Sequence, residues 1–121
     1  MNETKLSRVI LFVNDIGNMT EFYTDVLGLS VADDSDPGFI VLGAGGAEFC
    51  LHQIPKRFLS SNTDPNEDSA TKVVFYSADV EGERTRLLEK NVRMKKTVVW
   101  GEIAFCDGFD PEGNIFQISS R

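Results

Sequence analysis

The hydrophobic residues of this chain predict a strand followed by a helix near its start. Residues 8–13 form a short apolar run rich in branched side chains, which predicts a buried strand. Over residues 19–27 the apolar side chains recur at i, i+3, i+4, i+7 and i+8, the spacing of one buried helix face. Asp15 or Asn18 can cap this helix, and Gly28 is placed to end it.

Three further strands are predicted in the first half, and the same pattern then returns. The first-half strands are Leu29–Ala32, Phe39–Leu42 and Ala47–Gln53. Residues 72–77 predict a second buried strand, and Asp79 caps a second helix that ends near Asn91. The last three predicted strands are Val92–Trp100, Glu102–Cys106 and Asn114–Ser120.

The two halves are related by a repeat that can be checked by spacing. Arg8 precedes Asp15 by seven residues, and Lys72 precedes Asp79 by the same seven. The first strand and the helix cap therefore recur 64 residues later, which predicts two βαβββ modules in tandem.

We therefore predict an α+β fold in one domain of two modules, at about 1–54 and 70–121. The stretch 55–69 contains two prolines and many small polar residues, so we interpret it as a linker.

Alternation along the predicted strands separates two sheet faces. One is wholly apolar and is expected under the helices; it carries Val9, Leu11, Val13, Phe49, Leu51, Val73, Phe75, Phe116 and Ile118. The other mixes polar and aromatic side chains; it carries Arg8, Ile10, Phe12, Glu48, Cys50, His52, Lys72, Val74, Tyr76, Ile115, Gln117 and Ser119. A mixed face of this kind suits the lining of a small-molecule site.

Charge and cysteine content limit the partners and the compartment. The formal net charge is −7, which would repel nucleic acid and anionic membranes, so neither is expected as a partner. No apolar run approaches the roughly 20 residues that cross a bilayer, and the first residues lack a signal-peptide pattern. Cys50 and Cys106 lie in apolar runs, so we expect reduced thiols in a cytoplasmic protein.

Two segments of the chain resemble a known family. RVILFVNDIGNMTEFYTDVLGL at 8–29 is similar to the opening strand and helix of the glyoxalase/bleomycin resistance/extradiol dioxygenase (vicinal oxygen chelate) superfamily. FDPEGNIFQIS at 109–119 resembles the Asp-Pro-Asp/Glu-Gly turn and final strand of the same superfamily. The resemblance implies a cup-shaped mixed sheet built from paired βαβββ modules, and commonly a homodimer.

The resemblance also locates the positions that hold a metal in the metal-dependent members. The first-strand ligand positions fall on Arg8 and Lys72, and the last-strand positions fall on Cys50 and Gln117. Arginine and lysine are not ligands of divalent metals under ordinary conditions. One thiolate and one amide beside two cations do not form a usual metal site, so we expect neither a metal nor another cofactor.

The mixed face supplies the candidate functional residues. Arg8 and Lys72 either hold an anionic group of a ligand or are ordinary solvated strand ends. His52 is the candidate proton carrier, with Glu48 as its orienter or a second base. Cys50 is more typical of a small buried hydrophobe than of a nucleophile.

The remaining ligand-binding candidates are Phe12, Tyr76 and Gln117, together with Arg8, Cys50, His52 and Lys72. Gln117 would orient a ligand carbonyl or bond across the sheet. For Phe105 we favour the core, and for Trp100 we favour packing on its own hairpin.

These observations favour a metal-free protein that binds and sequesters a small molecule. The acidic net charge would suit a cationic ligand, whereas Arg8 and Lys72 would favour an anionic one. A glyoxalase-like lyase or isomerase, or a dioxygenase-related enzyme, is the first alternative. A non-catalytic dimeric interaction module is the second.

Overall fold

The computed structural model describes residues 3–121, and the chain divides into two compact units. The first unit ends at Ser61 and the second begins at Asn62. The elements of the first unit are β1 Arg8–Val13, α1 Ile16–Glu21 with a π-helical continuation Phe22–Val26, β2 Ser30–Asp36, β3 Phe39–Gly43, β4 Glu48–Gln53 and a 3₁₀ turn Lys56–Phe58. Those of the second unit are β5 Val73–Tyr76, α2 Val80–Glu89, β6 Arg93–Met94, β7 Val98–Trp100, β8 Ile103–Phe109 and β9 Ile115–Ser119. The predicted α+β class and the βαβββ order of each half are confirmed.

The first unit holds a mixed four-stranded sheet in the order β1-β4-β3-β2. β1 runs parallel to β4, and β3 pairs with β4 in the antiparallel sense. This register places Arg8 opposite Glu48, and it places His52 between Phe12 on one side and Phe39 on the other. Residues far apart in sequence therefore meet on one sheet face.

The first helix begins at Asp15. The Asp15 carboxylate accepts a hydrogen bond from the Asn18 amide at 3.0 Å, so Asp15 is the cap and the alternative cap at Asn18 is wrong. The helix widens into a π turn over Phe22–Val26 and ends at Gly28, whose φ of 87° suits glycine. The Tyr23 ring packs edge-on against Phe49 of β4, with centroids 4.9 Å apart, which fixes the helix over the apolar face.

Most of the apolar face predicted from alternation forms the core of the first unit. Val13, Phe49 and Leu51 are buried, as are Met19 and Phe22 of the helix. Val9, predicted on the same face, is exposed near the start of β1, so for this residue the prediction is wrong. β2 is longer than predicted because it extends to Asp36 through two shifts of register against β3.

The second unit repeats the layout with one change in its second strand. The sheet order is β5-β9-β8, and both β6 and β7 pair with the far side of β8. The prediction of a single strand at Val92–Trp100 is wrong. Met94 pairs with Gly108 and Val98 pairs with Phe105, so the pairing register shifts by one residue between these two pairs. This bulge separates β6 from β7. β8 also runs three residues beyond the predicted end, to Phe109.

The second helix begins and ends where the sequence predicts. The Asp79 carboxylate accepts the Gly82 amide at 3.0 Å, and Asn91 adopts the left-handed conformation (φ 63°) that ends the helix. Val80 and Leu87 are its buried residues.

The Asp-Pro-Glu-Gly-Asn turn at 110–114 is built around a buried carboxylate. Asp110 is fully buried and accepts hydrogen bonds from the Glu112 and Asn114 amides and from the Asn114 side chain. Gly113 has a φ of 83°, and a Cβ there would overlap the Asp64 carbonyl oxygen.

The predicted linker is not featureless. It contains the 3₁₀ turn Lys56–Phe58, and Ser60 donates its amide to the Asn14 side chain at 2.9 Å. Farther on, the Asn66 amide donates to the Gly113 carbonyl at 2.9 Å, so this part of the stretch is tied to the turn at 110–114. Across residues 3–121, none of the helices has the length and apolar character to span a membrane.

Candidate functional site

The mixed face of the first sheet brings together five of the predicted site residues. We call it the first face and define it by Arg8, Phe12, Phe39, Glu48, Cys50 and His52. All but Phe39 were predicted; Phe39 was assigned only to a strand, and its place opposite His52 depends on the β3–β4 register.

One end of the first face carries an ion pair. The Nε and Nη2 atoms of Arg8 both donate to Oε1 of Glu48, at 3.1 and 2.8 Å. The Arg8 guanidinium also lies 5.9 Å from the centre of the Phe39 ring, within the range of a cation–π contact. Arg8 is thus held by two neighbours, and its charge is balanced by Glu48.

The other end of the first face is a cluster of three rings. The His52 imidazole stacks on Phe12 at 5.1 Å with an interplanar angle of 28°. The Phe39 ring meets His52 edge-on at 5.3 Å and 71°. Phe12 is 57% exposed, so the cluster presents an aromatic surface to solvent.

Glu48 and His52 do not form the predicted acid–base pair. Glu48 lies opposite Arg8 and bonds to it, whereas His52 lies four residues farther along β4, among the rings. The expectation that Glu48 orients His52 is therefore not supported by this geometry, because Glu48 is engaged by the arginine.

Cys50 lies between these two ends and is fully buried. Burial raises the pKa of the Cys50 thiol, and the nearby Arg8 charge opposes that rise only in part. A thiol that stays protonated is a poor nucleophile and a poor ligand, which agrees with the small-hydrophobe interpretation of Cys50.

The corresponding face of the second sheet carries the other predicted residues, and we call it the second face. It is defined by Lys72, Val74, Tyr76, Val98, Trp100, Phe105, Asp107 and Gln117. Here Lys72 Nζ lies 3.0 Å from Asp107 Oδ2, and Gln117 Nε2 donates to Asp107 Oδ1 at 3.0 Å.

Asp107 fixes the orientation of Gln117. An ionised carboxylate only accepts hydrogen bonds, so the amide nitrogen of Gln117 must point to Asp107. Asp107 was not among the predicted site residues, because the strand that contains it was predicted to end at Cys106. Continuing the strand period by one residue would have placed Asp107 opposite Gln117.

The second face also carries exposed aromatic side chains. Tyr76 is 70% exposed, and Trp100 is 75% exposed. The expectation that Trp100 packs on its own hairpin is therefore wrong. The register pairs Val98 with Phe105 and Trp100 with Ile103, which places Trp100 on the same sheet face as Phe105. Phe105 is half-buried on this face, although the sequence favoured the core.

The four positions where the family's metal ligands would lie do not fit a metal. Arg8 and Lys72 are cations paired with carboxylates, and burial keeps Cys50 protonated. Gln117 turns its amide nitrogen to Asp107. Among residues 3–121, no three His, Cys, Asp or Glu side chains are grouped so that they could hold a metal ion.

Comparisons with known proteins agree on the fold. A protein of unknown function from Agrobacterium tumefaciens has a similar structure, with a TM-score of 0.76, 20% identity, and coverage of 98% of this chain and 95% of that one. Lactoylglutathione lyase from Agrobacterium tumefaciens gives a TM-score of 0.73 at 18% identity, covering 98% and 94% of the two chains. A glyoxalase/bleomycin resistance protein/dioxygenase from Nocardioides gives 0.74 at 14% identity, covering 98% and 84%. At these identities the likeness establishes the fold alone.

Two further comparisons concern the sequence. A search of curated proteins gives no match. The family model described as Glyoxalase/Bleomycin resistance protein/Dioxygenase superfamily matches residues 5–118, which is nearly the whole chain. The chain therefore belongs to the glyoxalase/bleomycin resistance protein/dioxygenase superfamily.

Proposed function

We propose that the protein is a metal-free small-molecule-binding protein of the sequestration type, and that its ligand lies on the first face. The observation that carries this proposal is the ring cluster of Phe12, His52 and Phe39 beside the Arg8–Glu48 ion pair. A surface of stacked rings with a few placed polar groups is the usual composition of a ligand site.

The rings favour a ligand with a flat apolar part. Phe12 and Phe39 hold the His52 imidazole from two directions, so the cluster keeps its shape without a ligand. A preformed site loses little side-chain freedom on binding, which favours affinity. A flat ring system would extend the stack on the exposed side of Phe12.

The ion pair bears on the charge of the ligand. The sequence alone favoured an anion on the strength of Arg8 and Lys72, but both cations have carboxylate partners at 2.8 and 3.0 Å. Because each pair is neutral overall, we propose a neutral polar group on the ligand, bonded to the outer atoms of Arg8 and Glu48. A carboxylate on the ligand would instead have to compete with Glu48 for the arginine.

The test uses three naphthalene probes with one ring system and different charges: 2-naphthalenemethanol, 2-naphthoate and 2-naphthylmethylamine. Each is titrated into the isotopically labelled protein in the presence of EDTA, and the backbone amide shifts are followed. We expect saturable shifts on β1, β3 and β4, with the alcohol binding best. Tightest binding of naphthoate would restore the anionic interpretation, and no saturable shift on these strands would overturn the proposal.

A matched pair of variants tests which of the two faces binds the ligand. Phe12 and Tyr76 occupy the same place in the two modules, and both are exposed. Phe12→Ala should weaken binding of the naphthalene alcohol at least about fivefold, since a stacked ring contributes on the order of 1 kcal/mol or more with its buried area. Tyr76→Ala should change it less than about twofold. The reverse order would move the site to the second face.

The enzyme alternative is tested on the same protein. The lactoylglutathione lyase from Agrobacterium tumefaciens has a similar fold, so lyase activity is assayed with and without added Ni, Zn, Fe(II), Mn and Mg. We expect no turnover and no thermal stabilisation by any of these ions. Turnover that disappears in His52→Ala while probe binding is kept would favour the metal-free enzyme instead. The two free, buried cysteines support a cytoplasmic location as part of the proposal.

A further inference from the structure

We propose that the second unit holds a separate binding site for an aromatic α-amino acid, in an open cleft at the end of the β7–β8 hairpin. The cleft is lined by Trp100, Gly101, Glu102, Ile103, Ser120 and Arg121. All six residues belong to the second unit, so this inference does not depend on the proposed ligand site on the first face. It rests on a longer hairpin, an exposed indole and two opposite charges among the lining residues.

The β7–β8 hairpin is longer than the β2–β3 hairpin of the first unit at the end where the cleft lies. β3 begins at Phe39, directly opposite His52 of β4. β8 begins at Ile103, two residues before Phe105, which lies opposite Ser119 of β9. His52 and Ser119 occupy the same place in the two units, so β8 extends two residues farther than β3. Ile103, at the end of this extension, lines the cleft.

Trp100, Ile103 and Arg121 lie side by side on this extension. Trp100 pairs with Ile103 across the hairpin. The Ser120 amide donates to the Ala104 carbonyl at 2.9 Å, which continues the β8–β9 register one residue past the end of β9. The next position in that register sets Arg121 beside Ile103. Because paired residues point to the same face of a sheet, an indole, an aliphatic side chain and a guanidinium line one side of the cleft.

The indole of Trp100 can stack with a ligand. It is exposed, and Gly101 next to it has no side chain that would cover the ring. The open cleft has a volume of about 560 Å³, which is within the range of small-molecule sites. A planar ring stacked on the indole would remove apolar surface of both rings from water. The cleft therefore suits a small ligand with an aromatic ring.

Glu102 and Arg121 give the cleft one charge of each sign. Unlike Arg8 and Lys72, neither has an ion-pair partner among residues 3–121. Glu102 precedes Ile103 in the chain and Arg121 lies beside Ile103 across the sheet, so the two charges flank one residue. A ligand carboxylate would accept hydrogen bonds from the guanidinium, and a ligand ammonium would donate to Glu102. An α-amino acid holds both groups on one carbon, whereas a ligand of a single charge meets repulsion from one of the two side chains.

The affinity of this cleft should be modest. Ion pairs between exposed groups contribute little to binding because water screens them. The open side of the cleft also leaves part of the ligand in solvent. We therefore expect a dissociation constant on the order of 1 mM for the free amino acid.

Titration of the full chain with L-phenylalanine, followed by the emission of Trp100, tests the proposal. Trp100 is the only tryptophan, and phenylalanine does not absorb where tryptophan is excited. Three relatives of the ligand each lack one group: 3-phenylpropanoate lacks the ammonium, 2-phenylethylamine lacks the carboxylate and L-alanine lacks the ring. We expect a saturable change with L-phenylalanine and at least about fivefold weaker binding of each relative. No saturable change with L-phenylalanine up to about 30 mM, or equal binding of any relative, would overturn the proposal.

Two variants that each remove one charge test which ligand group each side chain binds. Arg121→Gln should weaken L-phenylalanine binding at least about fivefold without weakening 2-phenylethylamine, whose ammonium it no longer repels. Glu102→Gln should weaken L-phenylalanine by a similar factor and strengthen 3-phenylpropanoate, for the matching reason. Arg57→Gln, the same change at an exposed arginine of the first unit, is the control and should leave all affinities unchanged. Unchanged affinity for L-phenylalanine in either cleft variant, or an equal loss of all three ligands, would contradict the proposed site.

Discussion

The two units place a cation at the start of an equivalent strand, but they neutralise it differently. In the first unit, Arg8 is paired with Glu48 on the neighbouring strand, directly opposite. In the second, Lys72 reaches across β9 to Asp107 of β8, and the same carboxylate also holds Gln117. One backbone plan therefore gives an isolated ion pair in one unit and a three-residue network in the other, through the position of a single acidic residue.

The rings differ in the same way. Phe12, His52 and Phe39 form one row across the first sheet, and Tyr76, Ser119 and Phe105 form the corresponding row across the second. Only the first row has a ring on its middle strand. His52 therefore joins two separate aromatic residues into one continuous surface, which is why we propose that the ligand lies on the first face.

The two units should differ most in the stability lost when a glycine is replaced in the turn before the last strand. Gly113 and Gly45 both have positive φ, but a Cβ at Gly113 would overlap the Asp64 carbonyl, whereas at Gly45 nothing lies within 4 Å. Gly113→Ala should destabilise the protein by more than about 3 kcal/mol, and Gly45→Ala by about 1 kcal/mol, the cost of the backbone conformation alone. Urea unfolding of the two variants measures this. Equal losses would contradict the close packing of the second turn.

The second comparison is between the stability lost on removing Asp107 and the stability lost on removing Glu48. Asp107 bonds to both Lys72 and Gln117 and its side chain is 19% exposed, whereas Glu48 bonds to Arg8 and is 42% exposed. We expect Asp107→Ala to cost about 1–2 kcal/mol and Glu48→Ala less than about 1 kcal/mol. Thermal unfolding of both variants at low and high salt measures the two losses of stability. A larger loss from Glu48→Ala would reverse the comparison.

Exchanging the middle residue of the ring row tests its role. His52→Ser gives the first face the residue that the second face has at Ser119. The variant should lose about 1 kcal/mol of stability through the two ring contacts. It should also lose most of its affinity for the naphthalene alcohol, as measured by amide shifts. Unchanged affinity would show that Phe12 and Phe39 act without the central ring.

The last prediction concerns a feature that the two units share. Burial raises the pKa of both Cys50 and Cys106, so each thiol ionises less readily in the folded protein than in the unfolded chain. The unfolded state therefore loses protons first as the pH rises, and stability falls above about pH 8.5, by at most about 0.8 kcal/mol per thiol at pH 9. Urea unfolding at pH 7 and pH 9 should show a smaller decline in the Cys50→Ala/Cys106→Ala variant. An identical decline would contradict the buried, protonated thiols.

The fold was accessible from the sequence because periodicity and caps are local signals. Asp79 marks a helix start through its side-chain oxygen, whereas Gly28 and Asn91 mark helix ends through their left-handed backbone conformation. The 64-residue repeat indicates the tandem plan. The break between β6 and β7 could not be predicted from the sequence. The bulge at residues 95–97 depends on the number of β8 residues that lie opposite them in the folded sheet.

The sequence predicted which residues share the face of the candidate site, but not the contacts between them. Alternation placed Arg8, Glu48 and His52 on one face, but it could not decide which of them pair. That choice follows from the parallel register of β1 and β4, a contact between segments 40 residues apart. The same limit concealed Phe39 and Asp107, whose roles arise from strands that pair only in the folded chain.

A metal-free ligand site on the first face is tested most simply by titrating the labelled protein with 2-naphthalenemethanol in EDTA and following the amides of Phe12, Phe39 and His52. We expect saturable shifts at all three, unchanged when EDTA is replaced by Ni, Zn, Fe(II), Mn or Mg. Shifts that arise only after a metal is added, or that are confined to the second face, would contradict a metal-free ligand site on the first face.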